Sequence, residues 1–161
     1  MKIPKLLIGF LVALIVVTTI TFATIQYLNN DMSKYVKIDV IKTNNDGFIF
    51  LGNNNCTGIL AKTSIERVES IQLGLENKIQ NRPNTHDIFS ETLKYFNITL
   101  EKVIINKLED NTYFSYIIFK QGNKILELDA KPSDAIALAL RTNSSIYVNR
   151  TLFNKRKISI C

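Results

Sequence analysis

The sequence predicts an α+β fold, an antiparallel or mixed sheet with interleaved helices, preceded by one N-terminal transmembrane helix. Three observations carry this. Residues 132–142 hold Ala, Leu and Ile on every side, and a helix that is apolar all round must be buried. Residues 103–108, 112–120 and 124–128 read as strands joined by the short turns Glu109-Asp110-Asn111 and Gln121-Gly122-Asn123, an antiparallel meander. From Leu6 to Leu28 no side chain is charged, and the run is long enough to cross about 30 Å of hydrocarbon as a helix. Strands and helices follow one another without strict β-α alternation, which argues against a parallel α/β sheet.

The N-terminal run defines a first unit, residues 1–30, read as a membrane anchor. A cleaved signal peptide is the alternative, with Lys2 and Lys5 as its basic region and Thr21-Phe22-Ala23 as its cleavage site, but the run continues past Ala23. Lys2 and Lys5 favour a cytoplasmic N-terminus, whereas Lys34, Lys37 and Lys42 on the other flank oppose it, so the side of the membrane stays open.

Residues 31–161 make one domain, long enough for a real core. Residues 35–42 alternate, with Val36, Ile38 and Val40 on one side, as a half-buried strand does. Asn44-Asn45-Asp46-Gly47 turns the chain into a partner strand over residues 48–51, and a short third strand covers residues 56–61. Thr63 and Glu66 have capping-box spacing ahead of an amphipathic helix over residues 64–79, with Ile65, Val68, Ile71 and Leu75 on its apolar stripe. Thr85 opens a second helix reaching about Phe96, whose apolar face is Ile88, Phe89, Leu93 and Phe96. After the meander, Pro132 suits a first helical turn and Ser133 or Asp134 can serve its free N–H groups. Residues 145–149 form a last strand before the tail.

The formal charge is +6; without Lys2 and Lys5, 18 basic side chains face 14 acidic ones, a net of +4. That is mild for a dedicated nucleic-acid surface. Arg150, Lys155, Arg156 and Lys157 form the densest basic cluster, read as a solvated tail, with phosphate contact as the alternative. Cys56 and Cys161 follow no metal-ligand spacing and are expected to be two ordinary thiols, with a disulfide as the alternative. There is no Gly-rich phosphate loop, Cys-x-x-Cys pair, nucleophile elbow or H-E-x-x-H helix.

Two stretches, Arg82-Pro83-Asn84-Thr85-His86-Asp87-Ile88 and Asp129-Ala130-Lys131-Pro132-Ser133-Asp134-Ala135-Ile136, resemble the paired motifs of the bifunctional nuclease domain family, in the same order and with a similar hairpin, Leu108 to Ser115, between them. The resemblance covers about residues 36–155. It implies a nuclease acting on DNA or RNA phosphodiester bonds, with nucleic acid as partner and a divalent metal, magnesium or manganese, as cofactor. Asp134, Asp87, His86 and Asp129 are the catalytic candidates, Asp134 and Asp129 the metal ligands, and Arg82, Lys131, Ser133 and Thr85 the substrate-binding residues.

The chain departs from the family in two places. Arg67 and Val68 stand where a Glu-Ala pair precedes Ile71, leaving Glu66 or Glu69 to supply that carboxylate. Lys131 stands where the family has Arg, which loses bidentate geometry. His86 is the only histidine, so a mechanism needing two is excluded.

Helix capping and charge pairing are the competing roles for these residues. Thr85 has cap chemistry, Asp87 is a favourable first-turn acid, and Arg82 can pair with Asp134 or Asp129. A non-catalytic interaction module, tethered through residues 6–28 and pairing as a homodimer, is the alternative function.

Overall fold

A computed structural model describes residues 9–10, 13–21 and 32–161 of the chain. It divides into two units, Met1–Lys34 and Tyr35–Cys161. In the first, residues 9–10 and 13–21 are helical, with Phe10, Leu14, Ile15 and Val17 exposed. Among the described residues no helix is long and apolar enough to cross a membrane, and the rest of the expected anchor over residues 6–28 lies outside them.

The second unit is α+β, as expected. Its strands are β1 (Tyr35–Ile38), β2 (Val40–Thr43), β3 (Phe48–Gly52), β4 (Thr57–Lys62), β5 (Thr99–Glu109), β6 (Thr112–Gln121), β7 (Lys124–Ala130), β8 (Ser145–Asn149) and β9 (Ile158–Ser159). Its helices are α1 (Ile65–Leu75), α2 (Thr85–Tyr95), α3 (Pro132–Thr142) and α4 (Arg150–Arg156). One sheet has the order β1-β8-β5-β6-β7 and the other β2-β3-β4-β9.

The meander β5-β6-β7 is antiparallel, whereas β5 and β8 are parallel. A chain that returns in parallel needs a crossover, and α3 supplies it by passing from edge strand β7 over β6 and β5 to β8. That route explains why α3 is apolar all round. It lies between the sheet and helices α1 and α2, and Ala135, Ile136, Ala137, Leu138 and Ala139 are all buried. They join Val103, Ile105, Ile117, Phe119, Ile146 and Val148 of the five-stranded sheet, and Ile49, Leu51 and Ile59 of the four-stranded one, in one core. Gly74 lets α1 come close to α3. A Cβ on Gly74 would meet Leu140 Cβ at 3.0 Å and Arg141 Nη1 at 3.1 Å.

Four expectations are corrected. The strand over residues 35–42 is two strands, because the chain breaks at Asp39, whose N–H donates to Gly52 O at 2.9 Å; β1 then pairs with β8 and β2 with β3. The cap of α1 is Ser64, without a side-chain bond to the backbone, and the helix stops at Leu75, before Asn77 takes φ 52°. The apolar face of α2 is largely uncovered. Of its four expected residues only Leu93 is buried, while Ile88, Phe89 and Phe96 stay exposed. The tail is α4 and then β9, which pairs with β4.

Cys56 and Cys161 form a disulfide with Cα atoms 5.2 Å apart, so they are not the two thiols expected from the sequence. The tail's return as β9 brings the cysteines together, and Ile160 N–H donates to Cys56 O at 2.9 Å. The bridge closes a loop of sequence separation 105. Cross-linking a loop of that size restricts the unfolded chain by about 4–5 kcal/mol in the chain-entropy model. Cys161→Ser is therefore expected to lower unfolding free energy by about 4 kcal/mol in urea titration. Dithiothreitol should reproduce most of that loss in the wild type and add nothing to the variant.

Candidate active site

The motif around His86 forms the start of α2. Asn84 caps the helix, with its Oδ1 accepting from His86 N–H at 2.9 Å and Asp87 N–H at 3.1 Å. Asp87 Oδ2 completes a capping box by accepting from Asn84 N–H at 2.8 Å. The cap is thus Asn84 rather than Thr85, one residue earlier than expected.

The other oxygen of Asp87 meets Arg141, near the end of α3. Arg141 Nε donates to Asp87 Oδ1 at 2.5 Å, and the two side chains are 6% and 5% exposed. Arg141 Nη1 also donates to Ser70 O of α1 at 3.0 Å and to Ala137 O at 2.8 Å, while its buried Nη2 has no partner. Burial is the strongest influence on Asp87 and would raise its pKa. The bonds from Arg141 and Asn84 and the neighbouring charges of Arg141 and His86 outweigh it, so the carboxyl sits below its ordinary value. Asp87 is therefore a structural anion, turned into the protein.

Its neighbour His86 faces the other way. His86 Nδ1 lies 3.0 Å from Ser70 Oγ, and Nε2 lies 3.6 Å from Asp134 Oδ1, which is ion-pair reach and longer than a hydrogen bond. The imidazole is 22% exposed and Asp134 47%. Burial is the largest influence on His86 and lowers its pKa; Asp134 pulls it back up and Arg141 pushes it down, leaving it below the ordinary imidazole value. At neutral pH the ring is uncharged, with one N–H and one free lone pair. The Asp134 carboxyl group beside Nε2 favours the N–H on that nitrogen, which leaves Nδ1 to accept from Ser70. Hydroxyl, imidazole and carboxylate then stand in line, an arrangement suited to moving a proton.

The remaining candidates are dispersed. Asp129 pairs with Tyr116 across β6 and β7, so it alternates away from Ser115, Ile117 and Phe119 and lies on the sheet face opposite the helices. Arg82 borders a shallow surface hollow with Gln80 and Asn81 and is in no salt bridge among the described residues. Lys131 and Ser133 line a different cavity from His86. Thr85 shares the hollow of about 250 Å³ beside His86 with Ser70, Glu66 and Glu69.

Magnesium and manganese are held by several oxygen ligands at once. Among the described residues no three His, Cys, Asp or Glu side chains come together as such a set. Asp134 and Asp129 are on different sides of the sheet, so the side chains of the described residues do not fit a resident ion.

Ser70 and Arg141 were missed in the sequence. Arg141 had a signal, since a lone cation ending a buried helix needs a buried anion. Ser70 had none: it is one polar residue among several on an amphipathic helix.

The model of the bifunctional nuclease domain matches residues 62–161, which include α1, both motifs and the tail. The chain belongs to this family. Membership supports a nuclease-like or nucleic-acid-binding role. Uncharacterized proteins from two strains of Mycobacterium tuberculosis are each 34% identical to it over 71 residues, 44% of this chain and 42% of theirs. The match thus spans less than half of those relatives.

Replacing Arg141 by Met leaves the Asp87 carboxylate buried without its cation, which is expected to cost about 3–5 kcal/mol at pH 7 in urea unfolding. The sign of the pH dependence follows from the shifts. In the wild type the lowered pKa of Asp87 contributes stability that is complete above the ordinary carboxylate range and is lost as pH falls through the lowered value. In Arg141→Met burial raises that pKa instead, so the deficit should narrow on acidification. A deficit that is constant with pH would show that the pair contributes packing alone.

Proposed function

We propose that this protein is a nuclease that hydrolyses DNA or RNA phosphodiester bonds with His86 as its proton-transfer group. The observation that carries the reading is the Ser70–His86–Asp134 line, of which Ser70 and His86 border a hollow. In this reading the nearby Asp134 carboxylate keeps the ring proton on Nε2 by charge, and Nδ1 takes the proton that Ser70 relays from an attacking water. The new P–O bond forms as the bond to the leaving strand breaks, and the protonated ring returns the proton to the leaving oxygen. Glu66 and Glu69 border the same hollow and bring no positive charge to the phosphate. The family resemblance implies a divalent metal, whereas the described side chains do not gather as its ligands, so assays with and without chelator belong to the test.

Cleavage of single- and double-stranded DNA and of RNA should fall about 10²–10⁴-fold in His86→Gln, the range expected for losing a general base. The rate should rise with pH through an apparent pKa below the ordinary imidazole value, because only the neutral ring accepts a proton. In Asp134→Asn that limb should move to lower pH, since Asp134 raises the pKa of His86. Equal cleavage by wild type and His86→Gln would end this reading. It would favour a non-catalytic interaction module, for which the exposed Ile88, Tyr95 and Phe96 of the α2 region offer a contact face between two copies.

We also propose that residues 6–28 hold the domain at a membrane, with the domain on the oxidising side. The uncharged apolar run supports the anchor, and the Cys56–Cys161 bridge supports the side, because disulfides persist outside reducing compartments. A protease added to intact cells should then remove a C-terminal tag; a tag that is cut only after lysis would place the domain inside.

A further inference from the structure

A cavity of about 380 Å³ opens where the two sheets meet the first turn of α3, within the size range of small-molecule sites. Its floor is apolar, with Leu51, Ile59 and Ile136, each of them buried. Lys62, Arg67 and Lys131 stand around it, and no carboxylate lines it. None of the three cations is in a salt bridge among the described residues. Lys62 lies 5.3 Å from the centre of the Phe48 ring, and Arg67 Nη1 is 3.5 Å from Thr63 Oγ1. Tyr113 reaches the same cavity from β6, and its hydroxyl is shielded from water without a hydrogen-bond partner. A hydroxyl in that state is destabilising unless something arrives to bond it.

We propose that this cavity binds a small amphipathic anion, an apolar body carrying one phosphate or carboxylate head. The head sits among Arg67, Lys131 and the first turn of α3, whose N-cap Lys131 makes no side-chain capping bond. The apolar body covers the isoleucine and leucine floor, and the Tyr113 hydroxyl bonds a polar atom of the ligand. Three cations and no carboxylate in the lining set the sign of the ligand. The apolar floor excludes a bare inorganic ion as the best occupant. The site is independent of the proton-transfer line, since Ser70, His86 and Asp134 do not line it.

Two sources supply this chemistry, a mononucleotide and a short acyl carboxylate. The experiment is calorimetric titration of the full chain in nonionic detergent with AMP, hexanoate, inorganic phosphate and hexanol. One of the two amphipathic anions should bind saturably, at least about ten-fold tighter than phosphate or hexanol, because head and body contribute together. Stronger binding of AMP identifies a nucleotide source and stronger binding of hexanoate an acyl one. Lys131→Gln should weaken the preferred probe about ten-fold. Tyr113→Phe should weaken it several-fold while leaving the ligand-free melting temperature unchanged or higher, since it removes an unpartnered hydroxyl. Absence of saturable binding by both anions, phosphate binding as tightly as either, or affinity unchanged in both variants would each overturn the proposal.

Discussion

A guanidinium and a carboxylate, both withdrawn from water, tie three helices of this protein together. Arg141 on α3 holds Asp87 on α2 and the Ser70 carbonyl on α1. Burying two charges is costly, and the cost is offset only where their remaining donors and acceptors are also satisfied. Here the second oxygen of Asp87 closes the cap of α2 and Nη1 of Arg141 serves two carbonyls, while Nη2 is left without a partner and its cost is not offset. The pair therefore fixes a direction as well as a distance. With Asp87 turned inward, the preceding residue in the same helical turn is turned out, and that residue is His86.

The helix α3 shows what patterning reveals. Its apolar residues on every side announced burial, and burial followed from its being the crossover between two parallel strands. The meander was legible for the same reason, since its strands are adjacent in sequence and joined by recognisable turns. What stayed hidden was set by distant parts of the chain. Asp87 finds a partner 54 residues away and Cys56 one 105 residues away. A cation ending a buried helix signals that an anion is needed but not which one, and the cysteine pairing leaves no local trace. The break at Asp39 also escaped, because two short strands in line carry the same alternation as one longer strand. For α2, amphipathicity revealed an apolar face without revealing that most of it would remain uncovered.

The candidate site was legible as residues but not as a constellation. Both motifs lie at helix starts, as their Asn, Asp, Pro and Ser content implies, and capping accounts for Asn84 and Asp87. What remains is divided by the turn of α3. Consecutive helical residues point about 100° apart, so Ser133 lines the basic cavity while Asp134 reaches His86. One short sequence motif thus serves two different surroundings. Asp129 belongs to neither, because strand alternation carries it to the far face of the sheet.

The single residue between β1 and β2 has a mechanical consequence. Each sheet receives one of these strands, and the peptide linking them is pinned by the Asp39–Gly52 bond. No slack is available at this junction for one sheet to slide along the other. Both strands lie at the edge of their sheets. A pull from the N-terminal side of the domain therefore loads the β1–β8 pairing first and reaches β2 and β3 once β1 has come away, with Asp39 as the point where one sheet hands the force to the other.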